Sequence, residues 1–320
     1  MSHLKNAPTL GIDLGGTKIK TALVDSSGLV IDSKLFPTDS SRGATTVIDA
    51  IGESAHRFLT GPNSAKALGI GVAGQVDMAG TVRFAPNLAW KEVPLGRDLE
   101  KALRIPVVVL NDVRAATWGE VVHGTGVGVS ELVCVFVGTG IGGGIVSGGR
   151  ILSGSTFSAG EIGHLTLVAG GRKCHCPNFG CFEAYVGGWA IAERAKEAAA
   201  ADPLAGSSMV ARAGSIHEIV GRTVSSAFHE GDALATEVMK KTAEYLAAGL
   251  VSIVNVLNPS MVILGGGIIE GTPELISMAE IQLRRLALPS ALEPLKVCRA
   301  ALGGDAGVIG AAAFARSALQ

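Results

Sequence analysis

Three short apolar runs that each end in glycines constrain the fold of this chain more than any other feature. The runs cover residues 10–14, 132–137 and 261–264, and they lead into Gly15-Gly16-Thr17, Gly138-Thr139-Gly140 and Gly265-Gly266-Gly267. A short apolar run that ends in a glycine turn is typical of a buried strand. Helical patterns lie between the runs, so the sequence predicts an α/β fold.

The spacing of the other elements suggests two related halves. The first two runs share a strand, a Gly-Thr turn and a second strand, at residues 19–24 and 144–146, and a third strand is expected at 29–36. This similarity predicts a weak internal duplication. One more buried strand is expected at 107–110, and helices are expected at 45–59, 97–103, 184–200, 215–229, 234–257 and 305–318.

The first glycine turn has the residues of an anion-binding loop. In Asp13-Leu14-Gly15-Gly16-Thr17-Lys18, backbone N–H groups and the threonine hydroxyl can point at phosphate oxygens. Asp13, at the strand end, is placed to hold Mg²⁺ through water. The loop lacks the Walker A spacing, and the strand expected after it excludes a dinucleotide fingerprint. A plain hairpin turn is the alternative, since Gly-Gly turns are common in hairpins.

The second and third glycine turns favour a nucleotide site over that alternative. Residues 138–144 carry five glycines in seven positions. Such a run costs backbone entropy, and a chain retains it most readily where backbone lies against a ligand. Gly265-Gly266-Gly267 can likewise pass under a flat adenine ring. Three glycine turns after three strands are more informative than any one of them.

Asn111 and Asp112 form a polar pair at the end of a predicted buried strand, before a helical pattern. At the carboxyl end of a strand, such a pair would point into a cleft, where Asp112 could act as a catalytic base. Both residue types are also good helix N-caps, and position alone favours the cap.

Three of the five cysteines crowd into one loop, Cys174-His175-Cys176-Pro177-Asn178-Phe179-Gly180-Cys181. Three thiolates with the imidazole of His164 could complete a tetrahedral site, and this ligand set favours zinc. His175 is a rival fourth ligand, although a position between two ligating cysteines would tend to turn its side chain away. Three unligated thiols are the alternative, and a polar loop of this kind is a poor place to bury them.

Composition excludes several classes of function. The net charge of -1, with no long run of one sign, argues against a nucleic-acid surface. Residues 1–8 are short and polar, without a signal-peptide stretch, and the apolar runs are too short to cross a bilayer. The odd number of cysteines does not indicate a disulfide framework. We therefore expect a cytoplasmic enzyme with neither a nucleic-acid nor a membrane partner.

Together these segments resemble the ROK family of bacterial sugar kinases and sugar-responsive repressors, from about Leu10 to the C-terminus. Its most specific motif is the cysteine loop through Glu183, preceded by Glu161-Ile162-Gly163-His164. The other matching segments are the three glycine turns, Asn111-Asp112, Ala85-Pro86-Asn87-Leu88 and Leu302-Gly303-Gly304-Asp305-Ala306-Gly307.

The resemblance implies an actin-like ATPase (ribonuclease H-like) fold of two lobes with a central cleft. It implies a small lobe of residues 1–114 plus 305–320, a large lobe of 115–304 with a zinc loop, and a homodimer. ATP, Mg²⁺ and Zn²⁺ would be the cofactors. Asp112 would be the general base that acts on a sugar hydroxyl, such as the glucose 6-OH. The implied sugar ligands are Asn87, Asn111, Asp112, Glu161, His164 and Glu183; the nucleotide ligands are Asp13, Gly15, Gly16, Thr17, Lys18, Thr139, Gly140, Gly265 and Gly266; the zinc ligands are His164, Cys174, Cys176 and Cys181.

Several alternatives stay open within the resemblance. Fructose, mannose, allose, N-acetylglucosamine and N-acetylmannosamine are further candidate acceptors, and polyphosphate is a second candidate donor. A repressor would need an added N-terminal DNA-binding domain, for which the first glycine turn leaves no room. A non-catalytic sugar-binding protein is the remaining rival. Pro177 stands where the family usually has glycine, which makes the path of the loop less certain because proline fixes φ and removes an N–H.

Overall fold

The computed structural model describes residues 7–61 and 64–318. Residues 1–6 of the polar N-terminal segment, and residues 319 and 320 at the end of the predicted small lobe, lie outside the described residues. The strands are β1 Thr9–Leu14, β2 Lys18–Val24, β3 Val30–Pro37, β4 Leu68–Val72, β5 Gln75–Val76, β6 Val82–Ala85, β7 Trp90–Val93, β8 Val107–Asn111, β9 Leu132–Val137, β10 Ile141–Ser147, β11 Arg150–Ile151, β12 Met261–Gly265 and β13 Lys296–Arg299.

Helices alternate with these strands, as the α/β prediction required. They are α1 Ala44–His56, α2 Leu95–Leu103, α3 Asp112–His123, α4 Glu183–Val186, α5 Gly188–Ala201, α6 Ser207–Ala213, α7 Gly221–His229, α8 Ala233–Leu257, α9 Gly267–Gly271, α10 Glu274–Leu286, α11 Pro289–Leu292 and α12 Ala306–Ala318. Across the described ranges 7–61 and 64–318, none of these helices combines the length and the apolar composition that a bilayer crossing needs.

The chain divides into two compact units. The first contains residues 1–130, 149–160 and 301–320, and the second contains residues 131–148 and 161–300. The boundary predicted after residue 114 falls inside helix α3. That helix stays whole in the first unit because it packs along α12. The carboxylate of Glu120, buried in α3, also accepts the backbone N–H groups of Ala301 and Leu302 at 2.9 Å each.

The first unit is built on a sheet of order β3-β2-β1-β4-β8. Strands β1, β2 and β3 pair antiparallel, while β4 and β8 continue the sheet in parallel. A small antiparallel sheet of β5, β6 and β7 follows β4. The parallel arrangement sets the carboxyl ends of β1, β4 and β8 at one edge of the sheet, where the predicted site residues of this unit follow.

Glycine lets helix α12 lie directly on the backbone of this sheet. A β-carbon at Gly69 in β4 would lie 1.9 Å from the carbonyl oxygen of Ala311, and one at Gly11 in β1 would lie 1.9 Å from that of Val308. No side chain fits at either position. Some of the many glycines of this chain therefore serve packing, in addition to the ligand-facing turns that the sequence predicted.

The second unit repeats the strand plan of the first. Strand β10 pairs antiparallel with β9, and β12 and β13 continue from β9 in parallel. The order β10-β9-β12-β13 therefore matches the order β2-β1-β4-β8, which supports the predicted duplication. The 25-residue helix α8 runs through the core of this unit, capped at its start by the Asp232 carboxylate, which accepts the N–H of Ala235.

Most predicted helices are present, with differences at glycines. The helix expected at 184–200 is broken into α4 and α5 at Gly187, whose backbone is extended (φ -57°, ψ 148°). The helix expected at 215–229 begins only at Gly221, after a short 3₁₀ turn. Helices α6, α9, α10 and α11 were not predicted.

The second glycine turn is shorter than expected. Gly142 and Gly143 do not belong to the turn, because they lie inside β10 and, together with Gly144, where a strand was expected to begin, pair with residues 134–136 of β9. The turn itself is limited to Gly138, Thr139 and Gly140.

Candidate functional site

The first glycine turn is a tight hairpin between β1 and β2. The N–H of Gly15 donates to the carbonyl oxygen of Lys18 at 3.1 Å, and Leu14 pairs with Ile19 across the turn. Thr17 and Lys18 are exposed. The turn is therefore a hairpin, as the alternative interpretation of the sequence predicted. A hairpin whose backbone N–H groups are open to a ligand can still bind phosphate.

Thr38 braces this turn, a role that the sequence did not predict. Its backbone N–H donates to the carbonyl oxygen of Thr17 at 3.0 Å, and its hydroxyl donates to that of Gly15 at 2.6 Å. The side chain is buried. A threonine just after β3 carries no sequence signal of this role, because the contact depends on how β3 pairs with β2.

Asp13 and Asp112 are close enough to influence each other's charge. Burial, and after it the negative charge of Asp112, raise the pKa of Asp13 to about 6, while Lys18 and Lys20 act in the opposite direction. Burial also raises the pKa of Asp112, although hydrogen bonds from the backbone of Val113 counteract it. A carboxylate that is costly to keep ionised is a better proton acceptor, so this environment suits a general base.

Asn111 is the N-cap of helix α3. Its side-chain oxygen accepts the N–H groups of Val113 and Arg114 at 3.0 and 3.1 Å, and its amide donates to the carbonyl oxygen of Gly74 at 3.3 Å. The cap interpretation is therefore confirmed for Asn111. It leaves Asp112, the first residue of the helix, free to serve another purpose.

Asn87 lies against the first glycine turn. It sits on a 3₁₀ turn, and a β-carbon at Gly16 would lie 2.9 Å from the β-carbon of Asn87. In the first unit the structure therefore gathers the predicted residues Asp13, Gly16, Asn87 and Asp112 around the ends of β1 and β8.

In the second unit, the turn at Thr139 is held by the start of helix α5. The N–H of Gly188 donates to the carbonyl oxygen of Gly138 at 2.9 Å, and the N–H of Trp189 donates to that of Thr139 at 3.1 Å. A cavity of about 560 Å³ opens beside this turn. We call it the α5 pocket; it is lined by Gly138, Thr139, Gly188, Trp189, Ala192, Glu193, Lys196, Ile219, Val220, Gly221, Arg222, Gly267 and Ile268.

The third glycine turn contributes to this pocket through its last residue. Gly267, at the start of α9, is in the lining, whereas Gly265 packs against Phe136 and Ala300. Gly266 has a left-handed backbone (φ 88°) that turns the chain from β12 into α9. The side chains of Lys196 and Arg222 were not predicted, because they come from helix patterns that carry no site signal.

Four side chains converge on a point in the cysteine loop. The donor atoms of His164, Cys174, Cys176 and Cys181 all lie within 4.8 Å of one another. The sulfur atoms of Cys176 and Cys181 are 3.5 Å apart, and Nδ1 of His164 is 3.8 Å from the sulfur of Cys174. Tetrahedral zinc with sulfur and nitrogen ligands separates its donor atoms by about 3.5–3.8 Å, so these residues fit a zinc ion.

The three thiols of the loop differ in how readily they ionise. Burial raises the pKa of the Cys181 thiol to about 12 and also raises that of Cys174, whereas the effect of burial on Cys176 is outweighed by hydrogen bonds from the backbone of Asn178 and from the neighbouring thiols, which lower the pKa of that thiol. A metal ion bound here would displace the protons of these thiols, so its binding would depend on pH. The rival ligand His175 points elsewhere, since its ring stacks on Trp189 with 4.2 Å between ring centroids.

Pro177 leaves the loop intact. The backbone N–H of Cys174 donates to the carbonyl oxygen of Asn178, and the N–H of Asn178 donates to the sulfur of Cys176, so hydrogen bonds span the proline. The bridge between Lys173 and Phe179 closes the loop around these contacts.

Two carboxylates flank the cysteine loop. Glu183, at the start of α4, accepts the N–H of Ile141 at 2.9 Å and the indole N–H of Trp189 at 3.3 Å. Glu161 precedes the 3₁₀ turn Ile162–His164, and its carbonyl oxygen accepts the N–H of His164. In the second unit the structure therefore places the four candidate metal ligands, Glu161 and Glu183 on connected segments.

Residues 9–318 match the ROK family. The chain belongs to this family. It is 35% identical over 311 residues to a glucokinase of Streptomyces coelicolor, covering 96% of this chain and 97% of that protein. It is 31% identical over 318 residues to an N-acetylmannosamine kinase of Escherichia coli, covering 96% of this chain and 98% of that protein.

A solved ROK structure supports the fold. The crystal structure of a ROK family glucokinase from Streptomyces griseus, in complex with glucose and AMPPNP, has a TM-score of 0.84 and 35% identity. The match covers 97% of this chain and 100% of that one. The predicted actin-like ATPase fold of the ROK family is thereby confirmed.

Proposed function

We propose that this ROK protein is an ATP-dependent sugar kinase that phosphorylates a hexose, with the 6-OH of glucose as the first candidate. The observation that carries the proposal is a pair of partly buried carboxylates that lie close together, Asp13 at the end of β1 and Asp112 after β8, whose pKa values are both raised. The chain is similar over nearly its whole length to glucokinases. Phosphorylation of a sugar hydroxyl is the reaction in which one such carboxylate can act as the base and the other can hold Mg²⁺.

The α5 pocket supports a nucleotide as the phosphoryl donor. Ile219, Val220, Ile268 and the ring of Trp189 give it apolar walls, while Thr139 and a glycine turn lie at one side. Apolar walls suit a purine ring, which polyphosphate lacks. We therefore favour ATP over polyphosphate as the donor.

The chain's own residues would handle the proton and the charge. In the proposed reaction, the sugar oxygen forms a bond to the γ-phosphorus as the bond to the β-phosphate bridging oxygen breaks, and ADP leaves. Asp112 takes the hydroxyl proton. Asp13 would hold Mg²⁺, which supplies positive charge to the phosphates. Backbone groups of Gly15, Gly16, Thr17, Thr139 and Gly140, the Lys18 side chain and the turn at Gly265-Gly266 are the proposed nucleotide contacts.

The sugar contacts carried over from the family stay proposals. They are Asn87 and Asn111 in the first unit and Glu161, His164 and Glu183 in the second. Zinc on His164, Cys174, Cys176 and Cys181 would fix the direction of the imidazole. Because Nδ1 faces the sulfur atoms, Nε2 is left for a sugar hydroxyl. This is a preorganising role, and the metal takes no part in bond formation.

A sugar panel tests the proposal. ADP release would be measured with ATP and with glucose, mannose, fructose, allose, N-acetylglucosamine and N-acetylmannosamine, and the sugars would be compared by kcat/KM. The E. coli relative makes N-acetylmannosamine the second candidate. A parallel assay with polyphosphate tests the donor. Saturable sugar binding without ADP release from any sugar would instead indicate the non-catalytic alternative.

We also propose a homodimer in the cytoplasm, following the family resemblance. Sedimentation equilibrium at several protein concentrations measures the first point. A mass of one chain at all concentrations would contradict it.

A further inference from the structure

The function proposed above uses Trp189 only as part of the wall of the α5 pocket, and its other contacts have no role there. It is the second residue of α5, and its ring is partly buried between three features of the second unit. One edge donates a hydrogen bond to Glu183 at 3.3 Å, one face lies on the ring of His175, and the side chain lines the α5 pocket. Among the described residues that line the pocket, Trp189 is the one whose ring stacks on a residue of the cysteine loop.

The hydrogen bond to Glu183 sets the direction of that carboxylate. Its Oε2 is held by the N–H of Ile141 at 2.9 Å and its Oε1 by the indole N–H at 3.3 Å. A β-carbon at Gly140 would lie 2.3 Å from Oε2, so the carboxylate is pressed against the second glycine turn. With both oxygens held, Glu183 can rotate little, and its remaining lone pairs face a defined direction.

The stack with His175 connects Trp189 to the cysteine loop. The ring centroids are 4.2 Å apart and the planes are inclined by 31°. His175 lies between Cys174 and Cys176, two of the four converging ligands. When both neighbours are bound to one metal ion, the backbone of His175 is fixed on both sides, and its exposed ring gains a fixed direction toward Trp189.

We propose that Trp189 is a positioning residue that joins the acceptor and donor sides of the site. Its indole N–H orients Glu183, and its ring, supported by His175 of the metal loop, forms one wall of the nucleotide pocket. Metal bound in the loop therefore affects nucleotide binding through this stack. The inference rests on the proposed kinase function for its kinetic consequences, and on geometry alone for the link between loop and pocket.

Two substitutions of Trp189 separate its contacts. Trp189→Phe keeps an aromatic wall and a stacking partner but removes the N–H. KM for the sugar should therefore rise about tenfold or more, which is the low end of the effect expected when a hydrogen bond to a charged group is lost. KM for ATP should stay within about twofold, since the wall remains. Trp189→Leu removes both features, so both KM values should rise. An equal rise of both KM values in Trp189→Phe would overturn the assignment.

A fluorescence measurement tests the link to the metal loop without using activity. The Trp189 emission is obtained as the difference between the wild-type protein and Trp189→Phe. Removal of metal by a chelator should change this emission, and AMPPNP should then bind more weakly. In His175→Ala the emission should no longer respond to the chelator, and His175→Phe should restore part of the response.

Phe179→Ala is the matched control, because Phe179 is an exposed aromatic residue of the same loop that contacts Lys173 instead of Trp189. It should behave as the wild-type protein does. The link would be overturned if the chelator changed the fluorescence equally in wild type and His175→Ala. It would also be overturned if wild type lost its metal and its fluorescence did not change. Since these readings need no sugar and no turnover, they decide the inference even if the sugar panel finds no kinase activity.

Discussion

Replacing Asp13 with asparagine should stabilise the first unit at neutral pH while it removes activity. Burial, and then the charge of Asp112, raise the pKa of Asp13 to about 6, and Lys18 and Lys20 compensate only partly. Asparagine has nearly the same shape and carries no charge. Asp13→Asn therefore keeps the packing and relieves the electrostatic penalty of the ionised carboxylate, at the expense of the proposed Mg²⁺ site.

The magnitude follows from the pKa difference. The ordinary value is 3.8 and the value in the fold is about 6, a difference of about 2 pH units. Each unit corresponds to about 1.4 kcal/mol, so ionised Asp13 costs the folded state about 3 kcal/mol. The amide of asparagine must also leave water, and we expect a net gain of about 1–2 kcal/mol in the free energy of unfolding.

The gain should depend on pH in a defined direction. The folded pKa lies above the unfolded one, so the penalty is fully present above about pH 6. It disappears as the pH falls through the folded value toward 3.8, because the folded protein then binds a proton that the unfolded chain does not. The difference between Asp13→Asn and wild type should therefore be largest near neutral pH and small near pH 4.

Urea unfolding in a Trp189→Phe background provides the assay. The remaining tryptophans, Trp90 and Trp118, both lie in the first unit, so their fluorescence reports its unfolding. Magnesium and nucleotide are left out, because they would stabilise the wild-type protein selectively.

A control with the opposite sign is available on the next hairpin. A hydrogen bond from the Ser27 hydroxyl, followed by those from the backbone of Leu29 and Ser27, lowers the pKa of Asp25 despite partial desolvation. Asp25→Asn should therefore reduce stability at neutral pH. If Asp13→Asn is no more stable than wild type there, or if its gain is unchanged near pH 4, the electrostatic account of this turn is wrong.

Three further predictions concern catalysis, the metal and packing. Asp112→Asn should bind sugar as wild type does by calorimetry but lose at least about a hundredfold in turnover, the usual scale for a general base; near-normal turnover would remove Asp112 from the reaction. Wild-type protein purified without chelator should contain about one zinc per chain and Cys181→Ser much less, measured by elemental analysis; equal metal contents would contradict the ligand assignment. Gly69→Ala should lower the free energy of unfolding by about 3 kcal/mol or more, because its methyl group meets the backbone of Ala311. Its control, Gly52→Ala in helix α1, has open space around it and should raise that energy by about 1 kcal/mol; similar effects of the two substitutions would show that the close approach of α12 is not what Gly69 permits.

Much of the fold could be predicted because strands and helices leave local patterns. The runs at 10–14, 132–137 and 261–264 are β1, β9 and β12, and the matching turns indicated the duplication that both sheets show. Several of the errors fall at glycine. Gly142 and Gly143 lie in a strand instead of a turn, and Gly187 divides one predicted helix into two, since glycine permits several backbone conformations and its surroundings select one.

The sequence by itself determined the candidate metal ligands, because the three cysteines lie close along the chain and their chemistry identifies them. It also identified Asp112 as a candidate base. Only the tertiary structure decided that His175 turns to Trp189, that Thr38 braces the first turn, and that Asp13 and Asp112 are close enough to raise a pKa. The physical reason is that side-chain direction, burial and charge interactions depend on segments far apart in the chain, and local patterns hold no information about which of those segments meet.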